Sequence, residues 1–187
     1  WGNNVLLRRR NNRTLADEWS SMVNDMLVRV LAISDNITNA TTTETDLIGT
    51  QGTGVTMPAG TLVGWGESLK MTFWGSTAAD AANARTFKFY YGGALRLTFG
   101  PYVTPVAEPF KIEIDVQKYY QGNSGGVKIC GTIQGGAVIG RSIQRLPLAF
   151  NSSLGVVVVR MTGTGVASSD ITLDSGKLVW SRAPQAF

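Results

Sequence analysis

Residues 87–99 read FKFYYGGALRLTF, and this stretch decides the fold class of the 187-residue chain. Apolar side chains alternate with polar ones before Gly92 and after Gly93, which is the period of β-strands that bury one face. Two adjacent glycines supply the positive φ angles that a two-residue hairpin turn requires. The stretch therefore predicts two antiparallel strands joined by a tight turn.

The same alternation continues through most of the chain after residue 40. Further strands are predicted at residues 41–48, 55–62, 69–74, 110–116, 127–133, 137–143, 154–161 and 171–180. One-sided strands of this kind, separated by Gly, Asn and Ser turns, need a second sheet to cover their apolar faces. We therefore predict an all-β fold, an antiparallel two-sheet sandwich of jelly-roll type.

The first part of the chain has a different pattern. Its apolar residues recur at spacings of three and four, the period of a one-sided helix; they are Leu15, Trp19, Met22, Val23, Met26, Leu27 and Val30. Thr14, followed by acids in the first turn, resembles a helix N-cap. We predict an amphipathic helix from Leu15 to Leu31. The predicted division is an attachment segment, residues 1–32, and a β-sandwich domain, residues 33–187.

Arginine is concentrated before this helix. Four arginines without a neighbouring acid account for the whole formal net charge of +4; they are Arg8, Arg9, Arg10 and Arg13. Such an arm could neutralise phosphates with salt-dependent affinity, but three or four contacts hold nucleic acid weakly. The asparagines around the arginines favour an extended arm that docks on an acidic protein surface. Nucleic acid remains the alternative partner.

The composition suits close packing of copies. Charged residues make up 16% of the chain, compared with about 25% in ordinary soluble domains. Few charges need to be desolvated when such surfaces meet. No apolar run approaches the roughly eighteen residues of a membrane-spanning helix, so no membrane partner is expected.

The residue inventory excludes several kinds of catalysis. The chain has no histidine, so it cannot form a Ser-His-Asp triad, a Cys-His dyad or a His-ligated zinc site. Its one cysteine, Cys130, excludes an internal disulfide and a cysteine-based zinc site. Residues 122–126, GNSGG, look like the nucleophile loop of trypsin-like proteases, but Asn123 replaces the aspartate of that motif. We expect no enzymatic activity and no cofactor.

Two pairs of acids deserve comparison with known sites. Glu113 and Asp115 share one face of a predicted strand, as paired glycosidase carboxylates could, but polar neighbours on that face indicate a solvated surface. Asp170 and Asp174 could contribute to a calcium site, although their spacing matches no established loop. No metal site is predicted.

Four aromatic residues fall at strand ends or on the polar phase of their strands: Trp65, Trp74, Tyr119 and Tyr120. They could stack on sugar rings or pack against a neighbouring subunit. Packing in the core and rim of the sandwich would also explain them.

Three stretches of the body resemble a recurring β-sandwich domain of tailed-phage virion proteins, which occurs in head decoration proteins, head fibres and tail fibres. They read TTTETDLI at residues 41–48, VTMPAGTL at 55–62 and TGTGVASSDITL at 162–173, before LVW at 178–180. The resemblance covers roughly residues 33–182. It implies a non-enzymatic virion component, commonly trimeric, whose N-terminal part is fixed to the particle.

The leading hypothesis is therefore a structural virion protein that decorates or stabilises the capsid, or mounts a fibre. Its expected partners are other virion proteins of the capsid or tail and two further copies of itself. The expected attachment residues are Arg8, Arg9, Arg10, Arg13, Trp19, Met22 and Met26. One alternative is a tail-fibre module that binds host glycans through the four aromatic residues. Another is a capsid shell protein whose arm binds nucleic acid.

Overall fold

The computed structural model describes residues 30–39, 42–48, 54–59, 61–62, 66–119, 126–135, 138–145 and 156–181. These residues form eleven strands and no helix. The strands are β1 (Val30–Thr38), β2 (Thr45–Asp46), β3 (Val55–Met57), β4 (Ser68–Thr77), β5 (Asp80–Tyr91), β6 (Ala94–Thr104), β7 (Glu108–Lys118), β8 (Val127–Gly135), β9 (Val138–Arg145), β10 (Val157–Thr164) and β11 (Ile171–Ser181). Among the described residues no helix is long and apolar enough to cross a membrane.

The strands form two antiparallel sheets. One has six strands in the order β1-β11-β4-β7-β8-β9, and the other has β2-β10-β5-β6 with β3 paired to β10. The predicted hairpin is β5 and β6, joined by Gly92 and Gly93 with φ angles of 62° and 78°. The prediction of an all-β, antiparallel two-sheet sandwich is confirmed.

The core lies between the two sheets. The six-stranded sheet contributes every second residue of β4 and β7, such as Leu69, Phe73 and Ile112, all fully buried. Aromatic side chains of β5 and β6 cover them from the other sheet. Gly131 on β8 makes room for this layer, because a Cβ there would lie 2.5 Å from Phe99 Cζ. The missing side chain lets the five-stranded sheet approach closely.

The sandwich has two distinct ends. At the proximal end, β1 begins at Val30, β11 ends at Ser181, and Gly92 and Gly93 turn between β5 and β6. The distal end carries Asn39 and the connections at residues 78–79, 105–107 and 165–170. Strands of this length place the two ends about 33 Å apart. The described chain therefore starts and stops at the same end.

Some sequence predictions differ from the structure. Val30 and Leu31, predicted as the last residues of the helix, are the first residues of β1, paired with Val179 and Leu178 of β11. That part of the helix prediction is wrong, and the predicted domain boundary at residues 32 and 33 falls within β1. Residues 1–29, which carry the rest of the predicted helix and the arginine arm, lie outside the described residues. The strand predicted at residues 41–48 is described from residue 42 onward, and within that part Thr45 and Asp46 form a ladder.

Candidate functional site

Trp74 is the large exposed aromatic on the outer face of the six-stranded sheet. It lies on β4, where Leu69, Met71 and Phe73 point into the core and the alternate residues face outward. Its exposed fraction is 40%. Sequence reasoning placed Trp74 on the polar phase of its strand, and the structure confirms that position.

Polar side chains lie on both sides of Trp74. Lys111 of β7 is its register partner on one side, and Lys111 Nζ is 2.8 Å from Glu113 Oε1. Ser175 of β11 is the partner on the other side, next to a bulge that contains the exposed Asp174. We call these five residues the Trp74 platform. Its donors and acceptors flank an aromatic surface that solvent reaches.

Of the other three predicted aromatic residues, the structure describes Tyr119, which lies away from this platform. Tyr119 follows the end of β7 at the proximal end, and its backbone N–H donates to the Gly126 carbonyl at 3.3 Å. It lies eight positions after Lys111, the register partner of Trp74, a distance of about 27 Å along the strand. Trp65 and Tyr120 lie outside the described residues, as do all seven predicted attachment residues.

A second polar cluster lies on the outer face of the five-stranded sheet. Glu44, just before β2, accepts hydrogen bonds from Lys88 Nζ at 2.5 Å, Tyr90 Oη at 2.5 Å and Thr162 Oγ1 at 2.8 Å. Burial opposes ionisation of Glu44, but these hydrogen bonds outweigh it and hold its pKa below the ordinary value. Burial, together with the hydrogen bond to Glu44, raises the pKa of Tyr90 to about 12.

Arg160 of β10 extends this cluster. Its Nε is 2.8 Å from Asp46 Oδ1, and its guanidinium carbon lies 5.1 Å from the centroid of the Tyr90 ring. One side of the Tyr90 ring is thus covered by a cation, which leaves that side closed to a ligand. The cluster fastens β2 and the residues before it onto β5 and β10, so its groups serve the fold.

The distal end contains a buried ion pair that the sequence did not suggest. Arg85 of β5 and Asp170, before β11, are joined by a 2.5 Å contact between Nη2 and Oδ1, and their side chains are 0% and 3% exposed. Arg85 also donates to the Ala78 carbonyl at 2.7 Å and to Thr104 Oγ1. We call this group the Arg85 node. It ties the β4–β5 and β10–β11 connections to both sheets.

Asn39 continues the node toward β1. Its Oδ1 accepts from the Ile171 N–H at 2.7 Å, and its Nδ2 donates to the Ala167 carbonyl at 2.6 Å. Asp170 Oδ2 accepts from the Val166 N–H at 3.0 Å. The sequence signal for this node was present in β5, where Arg85 shares the inward phase of Phe87 and Phe89.

The acids singled out in the sequence lie in different surroundings. Asp170 is buried and holds Arg85, whereas Asp174 is exposed on β11, so the two do not form a shared cation site. No group of three or more potential metal ligands occurs in the part of the chain that the structure describes. Glu113 is 47% exposed and paired with Lys111, as expected for a solvated strand face. Cys130 is half-buried on that same face.

No protein-family model matches this chain, and no curated protein matches it. Among solved structures, lectin UEA-II complexed with galactose and lectin II from Ulex europaeus each align at 10% identity and a TM-score of 0.37, covering 82% of this chain and 93% of the lectin. Peanut lectin with a 9-residue peptide aligns at 9% identity and the same TM-score, covering 81% and 91%. Superpositions this loose say nothing about function, and the sandwich assignment rests on the strand pairing.

Proposed function

We propose that this protein is a non-enzymatic structural component of a tailed-phage virion. Its sandwich is mounted on the particle through the residues that precede β1, where it decorates or stabilises the capsid or carries a fibre. The expected partners are other virion proteins and two further copies of the chain. The attachment residues of this proposal are those of the arginine arm and of the apolar stripe that contains Trp19, Met22 and Met26.

The common position of Val30 and Ser181, where the described sandwich begins and ends, carries this proposal. Val30 is in register with Val179 near the end of β11, so the chain enters and leaves the sandwich at its proximal end. A module fixed there would display the distal end about 33 Å away. This geometry suits a mounted domain, because attachment and display use opposite ends of one rigid body.

The distal end is well suited to remain folded in such an exposed position. The Arg85 node joins two connections and both sheets there through a buried ion pair and hydrogen bonds, so opening this end would break several buried contacts together. The resemblance of residues 33–182 to virion sandwiches and the low charge of the chain agree with the same proposal. The arginine arm then supplies the complementary charge for an acidic surface on the particle.

The test is made on particles of the phage that encodes this chain. In one phage the gene lacks residues 1–29, a deletion that ends before β1 and spares the sandwich. In a matched control, Leu95, an exposed residue of β6 in the five-stranded sheet, is changed to alanine. Mass spectrometry of purified particles should detect the wild-type chain and the control at the same copy number, and should not detect the deletion variant.

Two results would contradict the proposal. The chain would be absent from purified particles, or the deletion variant would be incorporated at the wild-type level. Light scattering of the isolated chain tests the trimer separately, since a monomer would limit trimer formation to the particle. Binding to DNA that weakens steeply with salt, and only when residues 1–29 are present, would favour the capsid shell alternative.

A further inference from the structure

We propose that the Trp74 platform binds a neutral, ribbon-like glycan, with one pyranose ring stacked on the indole. This inference goes beyond the structural role and does not depend on it, because the binding is measured on the isolated protein. It rests on the exposure of Trp74, the flatness of the surrounding sheet and the polar groups on both sides of the ring.

The fold fixes the outward position of Trp74 but does not require an indole there. Its neighbours Phe73 and Gly75 are buried, and the register of β4 between β7 and β11 fixes the Trp74 side chain on the solvent side. A smaller polar residue would fit this position as well as Thr72 and Ser76 fit theirs. Leaving 40% of a Trp side chain in water forgoes part of its burial free energy, so the position suits a ligand.

The surface around the indole is flat. Thr72 and Ser76 on its own strand and its register partner Ser175 on β11 are short and half-buried, and the next outward residues of β11 are the charged Asp174 and Lys177. No long apolar side chain stands beside the ring among these neighbours to form a pocket wall. A flat aromatic surface accepts the C–H face of a pyranose, and it leaves room for the chain to continue in both directions.

Hydrogen-bonding groups lie where the edges of such a ring would be. Asp174 lies on the β11 side, and the paired Lys111 and Glu113 lie on the β7 side. Carboxylates accept from sugar hydroxyls, and an ammonium group donates to them, so both sides can engage equatorial hydroxyls. This arrangement distinguishes the platform from the polar cluster on the five-stranded sheet, where one side of the Tyr90 ring is covered by Arg160.

The charges favour a neutral ligand. The charges around the ring balance: Lys111 is paired with Glu113 at 2.8 Å, and β11 adds the exposed Asp174 and Lys177, one of each sign. An acidic sugar would therefore gain no net positive charge at the platform. Because the platform is open, it suits an internal residue of an extended β-linked chain, whose alternating rings present flat C–H faces.

The test uses saturation-transfer NMR of the full chain with cellohexaose, with methyl β-D-galactopyranoside and with sialyllactose. We expect transfer to the ring C–H protons of cellohexaose and at least tenfold weaker binding by Trp74→Ala. Trp74→Phe should retain part of the affinity, and Asp174→Asn should weaken binding severalfold without removing the stacking. Leu95→Ala changes an equally exposed apolar residue on the other sheet and should bind as the wild type does.

Several outcomes would overturn the proposal. One is that the wild type binds none of the three sugars, and another is that Trp74→Ala binds cellohexaose normally while its circular dichroism matches the wild type. Preferential binding of sialyllactose would refute the neutral ligand class. If Trp74→Ala instead changes the solution mass without affecting sugar binding, the face is a contact between copies. Trp74→Phe and Asp174→Asn keep the test decisive if the alanine variant fails to fold.

Discussion

The Arg85 node should respond to mutation far more than any exposed ion pair of this protein. Replacing Arg85 with Met removes the cation and keeps a side chain of similar reach, which leaves the Asp170 carboxylate in the interior without its counter-ion. Breaking one side of a buried pair costs about 3–5 kcal/mol, because the remaining charge is desolvated and uncompensated. This cost applies to Arg85 and Asp170 because their side chains are 0% and 3% exposed.

This cost is a large fraction of the stability of a single domain, which is about 5–15 kcal/mol. With a urea m value of about 2 kcal/mol per molar, the unfolding midpoint of Arg85→Met should fall by roughly 2 M. The assay is urea unfolding followed by circular dichroism and by Trp fluorescence, whose agreement tests two-state behaviour. Lys111→Met is the matched control, and loss of its exposed pair with Glu113 should cost about 0–1 kcal/mol.

The double variant Arg85→Met/Asp170→Leu tests the reasoning behind that magnitude. With both charges removed, no buried ion remains at the node, and the loss relative to Arg85→Met is the Val166 N–H acceptor, about 1 kcal/mol. The double variant should therefore be more stable than Arg85→Met alone. A loss below about 1 kcal/mol for Arg85→Met, or additive effects of the two substitutions, would refute a buried and coupled pair.

Two further expectations follow from local geometry. The pKa of Glu44 is lower in the folded protein than its ordinary value. The ionised carboxylate therefore stabilises the fold above about pH 4.3, and this stabilisation is lost as the pH falls through the folded pKa. In urea unfolding, the free energy of unfolding should fall less between pH 6 and pH 3 for Glu44→Gln than for the wild type. Gly131→Ala places a Cβ 2.5 Å from Phe99 Cζ and should cost about 1–3 kcal/mol by overpacking, whereas Gly92→Asn, at an exposed positive-φ turn position, should change the thermal midpoint little.

Local pattern was sufficient for the strands that bury one face. In β5 and β6 the alternation and the paired glycines predicted the strands, their turn and their inward residues, because each of these is fixed within a few residues of sequence. The same reasoning placed Trp74 outward on β4 and predicted a solvated face for Glu113. These predictions succeeded because strand periodicity decides which side of a sheet a residue occupies.

Features that depend on distant partners could not be predicted in the same way. Val30 and Leu31 continue a helical spacing, and only the pairing of β1 with β11 shows that they are strand residues. The register of β1 shifts between Ser34 and Ile37, which breaks the alternation that would have revealed the strand. Arg85 and Asp170 are 85 residues apart, and their contact follows from connections that meet at the distal end.

The two proposals assign different parts of the sandwich to different tasks. Val30 pairs with Val179 of β11, which in turn pairs with Lys70 of β4. Trp74 lies four residues further along β4, about 13 Å nearer the distal end. An anchor at the proximal end would thus leave the Trp74 platform accessible on the sheet face. Deletion of residues 1–29 should then abolish attachment while sparing sugar binding, and Trp74→Ala should have the opposite effect. A variant that loses both properties together would show that the attachment segment and the platform form a single surface.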